Sequence, residues 1–226
     1  MDLINTFFNP EVFTQSFPIL LRGLGTTLLL GATAAVLGTL FGIGLCLLRL
    51  YAPKPLRLLA VVYIDLFRAV PVLVVIVLIY YALPFVGVTF SSFTSASLAL
   101  VMVLAAFTAE VFRAGIESVP GGQTEAALAL GLHFWQVVLK VILPQAMKVA
   151  IPPQTSNLVS IVKDTSLASV VALPDLLKQA TDSQALFANP TPLIGAAIIY
   201  VALLWPLVRF TAYVDARSRL QTMRQI

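Results

Sequence analysis

The chain has 226 residues, 59% of them hydrophobic and only 11% charged, with a formal net charge of +4. Soluble domains carry about a quarter charged residues, so this composition specifies an integral membrane protein. It excludes a nucleic-acid-binding surface, which needs a concentrated basic face. The single cysteine, Cys46, lies in an apolar run, where it serves as a small buried hydrophobe and supports no disulfide framework. Met1-Asp2 opens the chain without a basic stretch, so no cleavable signal peptide is expected.

Residues 1–22 mix Phe7, Phe8, Phe13 and Phe17 with Asn5, Asn9, Glu11 and Gln15. The pattern predicts a short interfacial segment, with Pro10 and Pro18 as breaks. A first span follows at 24–48, uncharged and long enough to cross a hydrocarbon core of roughly 30 Å. Within it Ala34, Gly38 and Gly42 recur every four residues, a small-residue stripe that lets a neighbouring helix approach closely. After a basic loop with Arg49, Lys54 and Arg57, a second span runs over 58–83. Asp65 and Arg68, one turn apart, read as a local ion pair at the membrane edge, and Pro71 as a kink or the end of a first turn. The third span covers about 98–112 and ends in Glu110, Arg113 and Glu117, the polar face of a helix emerging into water.

A long polar excursion occupies 113–145. Ser118 is its expected N-cap, with Pro120 in the first turn. Glu125-Ala126-Ala127-Leu128-Ala129-Leu130 is a strong helix former of little bulk, and Gly131 can adopt a positive φ that closes it. His133 to Ile142 forms a second amphipathic piece, and Leu143-Pro144 marks the return to the membrane. Such a helix is either a docking knob for a partner or a plain loop helix; its residues alone leave both open. His133, the only histidine, is read as a surface residue, because a histidine-based metal site or triad would lack partners. No phosphate loop is present, as the glycine-rich stretch at 23–31 lacks its lysine.

An interrupted apolar stretch, about 147–173, contains Pro152-Pro153 as its break and Lys163-Asp164 near its middle. Charge at mid-span is expensive and faces a bundle interior or a watery cavity. Asn157 lies two helical turns before Asp164, on the same face. The pair reads as the lining of a solute path, with Asp164 available to an ammonium group, or else as a structural contact holding the bundle. A loop at 174–190 sets Lys178 against Asp175 and Asp182, and a final span covers about 191–210.

One set of connections holds Arg49, Lys54, Arg57, Arg113, Lys140, Lys148, Arg209, Arg217, Arg219 and Arg224, and the opposite set only Arg22 and Lys178. The positive-inside rule then orients five transmembrane helices with the N-terminus outside, the C-terminus cytoplasmic and the 113–145 loop cytoplasmic. The expected architecture is a single all-α transmembrane domain over 1–226.

Glu125-Ala126-Ala127, three residues, Gly131, nine residues, then Val141-Ile142-Leu143-Pro144 resembles the EAA loop of bacterial ABC importer permeases, with Val141 where the family pattern has isoleucine. Three further stretches resemble the polar amino acid branch of that family. They are Glu110-Val111-Phe112-Arg113-Ala114-Gly115-Ile116 through Gln123, Phe67-Arg68-Ala69-Val70-Pro71, and Lys163-Asp164-Thr165-Ser166-Leu167. The second departs from the branch, which more often has Gly-Thr between the arginine and the proline.

The resemblance implies a permease subunit in a bacterial inner membrane, a transport subunit rather than an enzyme, importing polar amino acids by alternating access. Glu125, Ala126, Ala127 and Gly131 would then be the coupling helix that docks on a cytoplasmic ATPase dimer, and ATP and magnesium would be bound by that partner, with no cofactor in this chain. It further implies a second permease subunit, identical or sister, and an extracytoplasmic solute-binding protein. Asn157 and Asp164 would contact the substrate; basic-amino-acid members can have a second acidic residue at the position of Asn157, so an amide there argues against a dedicated arginine or lysine site. The alternatives are an importer of another small polar solute, such as an amino acid derivative, and a non-transporting scaffold that recruits a cytoplasmic partner.

Overall fold

The computed structural model describes residues 6–223, with side chains through Arg217, and is helical almost throughout. Helix α1 spans Pro10–Tyr51. Its N-cap is Asn9, whose side-chain oxygen accepts from the amides of Glu11 and Val12 at 3.0 and 3.2 Å, and Pro10 supplies the first-turn φ. At 1.5 Å per residue its 42 residues reach about 63 Å, well beyond the hydrocarbon core. The expected break at Pro18 does not occur, and residues 10–22 belong to this one helix rather than to a separate interfacial segment. Pro18 forfeits one backbone hydrogen bond, but Leu20, two residues beyond it and fully buried against Leu176, Ala180 and Ala196, anchors the helix there. The part of the interfacial expectation at 1–5 lies outside the described residues.

The small-residue stripe of α1 packs as its spacing predicts. A Cβ on Gly38 would sit 2.9 Å from Leu104, and one on Gly42 2.5 Å from Thr108. The partner is α4, Ser92–Glu117, started by Ser91, whose hydroxyl accepts from the Thr94 amide at 3.1 Å. It extends well past the expected 98–112 at both ends. α4 is the central helix: 61% of its apolar window is buried, against 11% for the last candidate span, which leaves the latter almost wholly to lipid or a partner.

The expected second span is two limbs. α2, Lys54–Ala69, meets the Val72–Val86 limb at 106°; the latter is α3, Val72–Val77, continued by a π turn at Leu78–Ala82 and a 3-10 turn at Leu83–Val86. Pro71 cannot donate, and it forces Val70 into an extended conformation (φ −87°, ψ 131°), so the axis turns sharply there.

Beyond α4 the chain forms α5, Gly121–Ala129, and then a continuous helical run: α6, Phe134–Val137, a π turn at Val138–Ile142, and α7, Leu143–Asp164. Ser118 is not the N-cap of α5; it caps the end of α4, its hydroxyl donating to the Gly115 carbonyl at 2.7 Å, and α5 starts after Pro120. Neither Leu143-Pro144 nor Pro152-Pro153 breaks the helix. Pro144 directly follows the π turn, where the Leu143 N–H reaches the Val138 carbonyl, and farther along the hydroxyl of Thr155 donates to the Pro152 carbonyl at 2.7 Å.

A 3-10 segment, Thr165–Val171, leads to α8, Leu176–Phe187, which replaces the expected loop at 174–190. Asp175 is its N-cap, accepting from the Lys178 amide at 2.7 Å, and Lys178 forms an ion pair with Asp182. Gly23 of α1 permits the approach, since a Cβ there would lie 2.7 Å from the Asp175 carbonyl oxygen; Leu176 N–H donates to Thr27 at 3.1 Å. Burial pushes the Asp175 carboxyl up to about 6, from an ordinary 3.8. The last helix, α9, is Thr191–Met223, longer than the expected 191–210 and uninterrupted at Pro206. Among the described residues, four helices are long and apolar enough to cross a membrane, or five if the bent pair counts as one span.

Candidate transport site and coupling segment

The α4–α7 seam has a defined register. A Cβ on Gly115 would meet the Ala146 carbonyl at 2.7 Å, and Gln154 Nε2 donates to Thr108 Oγ1 at 3.0 Å, so the two helices run antiparallel. Above that hydrogen bond a cavity of about 190 Å³ opens between them. α7 contributes Asn157, Ser160, Ile161 and Asp164, and α4 contributes Val103, Leu104 and Phe107. The α7 positions fall at i, i+3, i+4 and i+7, one helical face. Asn157 and Asp164, singled out from sequence, are thus brought to one cavity. Ser160, Phe107 and the helix-bridging Gln154 were not; the i+3 spacing of Ser160 from Asn157 was the available signal.

Chemically the cavity offers one carboxylate, one amide and one hydroxyl against an apolar wall. The Asn157 Nδ2 is buried and has no hydrogen-bond partner among the described residues, a donor held ready for an acceptor that enters. Asp164 closes α7 at the opposite end, half-buried, while Lys163 beside it is exposed. Gln154 also reaches Thr39 of α1 at 3.3 Å, so three helices are tied together beneath the site.

One turn farther along α4, Glu110 gathers three arginines. Arg49 of α1 reaches it at 2.8 Å, Arg113 of α4 binds it through two nitrogens, and Arg68 of α2 lies at 3.9 Å. Arg113 also pairs with Glu117. The ends of three helices are therefore joined by charge, not merely exposed to water as the α4 sequence suggested. Arg68 also stands 5.8 Å from the Phe107 ring centroid, a cation–π contact with a residue of the cavity wall. The expected Asp65–Arg68 pair does not form: among the described residues Asp65 is exposed and Arg68 turns to Glu110 instead. At i, i+3 the two side chains are neighbours, but a carboxylate on another helix wins the guanidinium.

On α5, Glu125 and Ala126 are exposed and Ala127 is buried. Gly131 adopts φ +81°, with its amide and that of Leu132 returning to the Leu128 and Ala127 carbonyls at 2.9 and 3.2 Å. That left-handed turn is the reversal read from the sequence. The four residues lie together on one short helix and its closing turn. Flanking them, Leu130 and Trp135 are 83% and 70% exposed, an apolar rim that sequence reading did not pick out.

Several helices long and apolar enough to cross a membrane, a cavity with three polar side chains between two of them and a separate exposed helix define a multi-span membrane protein. Residues 34–220 match the family of binding-protein-dependent transport system inner membrane components, and the chain belongs to that family. It is an ABC-type permease of the inner membrane, a multi-pass transport subunit. It is 38% identical over 173 residues to the probable amino-acid ABC transporter permease protein YckA of Bacillus subtilis (strain 168), covering 76% of each chain. It is 34% identical to the probable glutamine ABC transporter permease protein GlnM of the same organism, over 87% of this chain and 89% of that one. Its fold is similar to a chain in the crystal structure of an amino acid ABC transporter with histidines, with a TM-score of 0.84, 32% identity, and 91% and 96% of the two chains covered.

Proposed function

We propose that this permease admits a polar amino acid through the α4–α7 cavity, with Asp164 receiving an ammonium group and Asn157 a carboxylate or side-chain acceptor. The observation that carries the reading is the buried, unpartnered Asn157 Nδ2 in the same cavity as Asp164 and Ser160. Relatives whose names specify amino acids support the substrate class. Another small polar solute, such as an amino acid derivative, is the second reading, because the cavity holds only one carboxylate and its chemistry is shared by any small ammonium compound.

In this reading the chain is one domain with five spans, the α2–α3 pair counting as one bent span, the N-terminus outside and the C-terminus cytoplasmic. The 113–145 segment is then cytoplasmic. Glu125, Ala126, Ala127 and Gly131 dock on a separate ATPase dimer that binds ATP and magnesium, a second permease subunit completes the path, and a binding protein delivers the solute from outside. The exposed, compact α5 and the largely unburied faces of α7 and α9 support a chain built to be partnered.

The test is uptake of radiolabelled amino acids by vesicles containing the assembled importer. Asp164→Asn and Asn157→Ala are expected to lower uptake or raise the apparent Michaelis constant about tenfold or more, the cost of one charge-assisted hydrogen bond. Uptake at the parent rate and affinity in both variants would refute the site assignment.

A further inference from the structure

The α4–α7 cavity is lined by one carboxylate, one amide and one hydroxyl, and by no cation. A zwitterionic solute that leaves it has to carry both charges onward, and charges cross an apolar region only where opposite charges or water meet them.

α2 brings charge of both signs beside that cavity. Its Ala60 and Ile64 are buried in one cluster with Ala105 and Ala109 of α4, and the Tyr63 hydroxyl donates to the Met102 carbonyl at 3.1 Å. This part of α2 therefore runs beside residues 102–109 of α4, the stretch that gives Val103, Leu104 and Phe107 to the cavity. Lys54, Arg57, Asp65 and Arg68 recur at i, i+3, i+11 and i+14, which places them along one edge of the helix. The exposed apolar residues Leu59, Val62 and Leu66 occupy another face. Arg68 shows where the charged edge points, since its guanidinium stands 5.8 Å from the centroid of the Phe107 ring, on the cavity wall.

Two features separate Asp65 and Arg68 from an ordinary solvated surface. Asp65 is exposed and makes no hydrogen bond or ion pair among the described residues, although it lies beside the apolar span Ser92–Glu117. A lone carboxylate at such a place faces water or a polar path rather than lipid. Arg68 is the least committed of the arginines around Glu110. It stays 3.9 Å from that carboxylate, beyond hydrogen-bond reach, and is 39% exposed, whereas Arg49 and Arg113 bond Glu110 directly. A carboxylate and a guanidinium one turn apart, not paired with each other, offer a partner to each charge of an amino acid head group.

We propose that Asp65 and Arg68 form a second solute station, on the Glu110 side of the cavity, which takes the ammonium and the carboxylate of an amino acid leaving Asn157 and Asp164. The proposal rests on the transport reading given above, in whose orientation Glu110 is cytoplasmic and this station is the exit step.

The test uses the assembled importer in vesicles, with the amino acid, among the twenty, that the parent takes up fastest as the probe. Asp65→Asn should lower the maximal uptake rate about tenfold, the loss of one charge-assisted hydrogen bond. It should neither raise the apparent Michaelis constant, which is set where the solute first binds, nor shift the melting temperature. Asp65→Glu should restore the rate. Arg68→Gln should lower the rate in the same way and Arg68→Lys should keep most of it. In a Cys46→Ala background, which leaves no other cysteine, Asp65→Cys should react with a charged thiol reagent added from the cytoplasmic side. Uptake by Asp65→Asn at the parent's maximal rate overturns the station, and so does a cysteine at this position that the reagent cannot reach. A parent importer that takes up none of the amino acids refutes the transport reading itself and the station with it. Normal parent uptake with a silent Asp65→Asn removes the station alone.

Discussion

Gln154 of α7 donates to Thr108 of α4 at 3.0 Å while also reaching Thr39 of α1 at 3.3 Å. This amide is the crosspoint of three helices, one turn before Asn157 of the α4–α7 cavity. Hydrogen bonds between membrane helices contribute about 0.6–2 kcal/mol each, so Gln154→Leu should lower thermal stability in detergent by an amount in that range. Thr108→Val should cost less, because Thr39 remains as a partner. A thermal-shift assay reads both; equal stability of Gln154→Leu and the parent would show that packing alone holds the seam.

Glu110 neutralises arginines from three helices, and removing it strands them together. Breaking a fully buried ion pair costs about 3–5 kcal/mol; Glu110 is about one-fifth exposed, so Glu110→Gln should cost roughly 2–3 kcal/mol. Arg68→Gln, at the far edge of the cluster and more exposed, should cost under about 1 kcal/mol. Unfolding monitored in detergent separates the two, and similar losses would mean that the charges act as a single unit.

Gly131 sits at φ +81° with open space around it, so a side chain meets backbone strain rather than a clash. Gly131→Val should distort the turn after α5, and Glu125→Lys should invert the charge on an exposed helix face, without affecting insertion. Both should leave ATP hydrolysis by the assembled importer poorly coupled to uptake. Measured transport per ATP equal to the parent's in both variants would remove α5 from the power path.

Asp175 gives a pH dependence of defined sign. Its folded carboxyl is raised by burial to about 6 from 3.8, so the folded state holds the proton more tightly than the unfolded chain does. The stabilisation is therefore complete below about 3.8 and is lost as pH rises through about 6, an effect on the order of 3 kcal/mol. Asp175→Asn keeps the cap acceptor for the Lys178 amide and removes the titration. Its melting temperature should exceed the parent's at pH 7.5 and converge with it at pH 4.

Much of this protein is local and therefore legible in the residues. The apolar runs, the Ala34-Gly38-Gly42 stripe, the reversal at Gly131 and the shared face of Asn157 and Asp164 all follow from composition and a 3.6-residue period. The tertiary structure decided where backbone rules compete with packing. Pro18, Pro152 and Pro153 are helix breakers by sequence, yet each remains within a continuous helix, as does Pro144 at the first turn of α7. Residues 174–190 read as a loop because nothing local shows that Gly23 and Thr27, about 150 positions earlier, receive a helix there. Proximity alone pairs Arg68 with Asp65, yet it reaches Glu110, because an ion pair forms where three helices converge, and sequence spacing carries no record of that convergence.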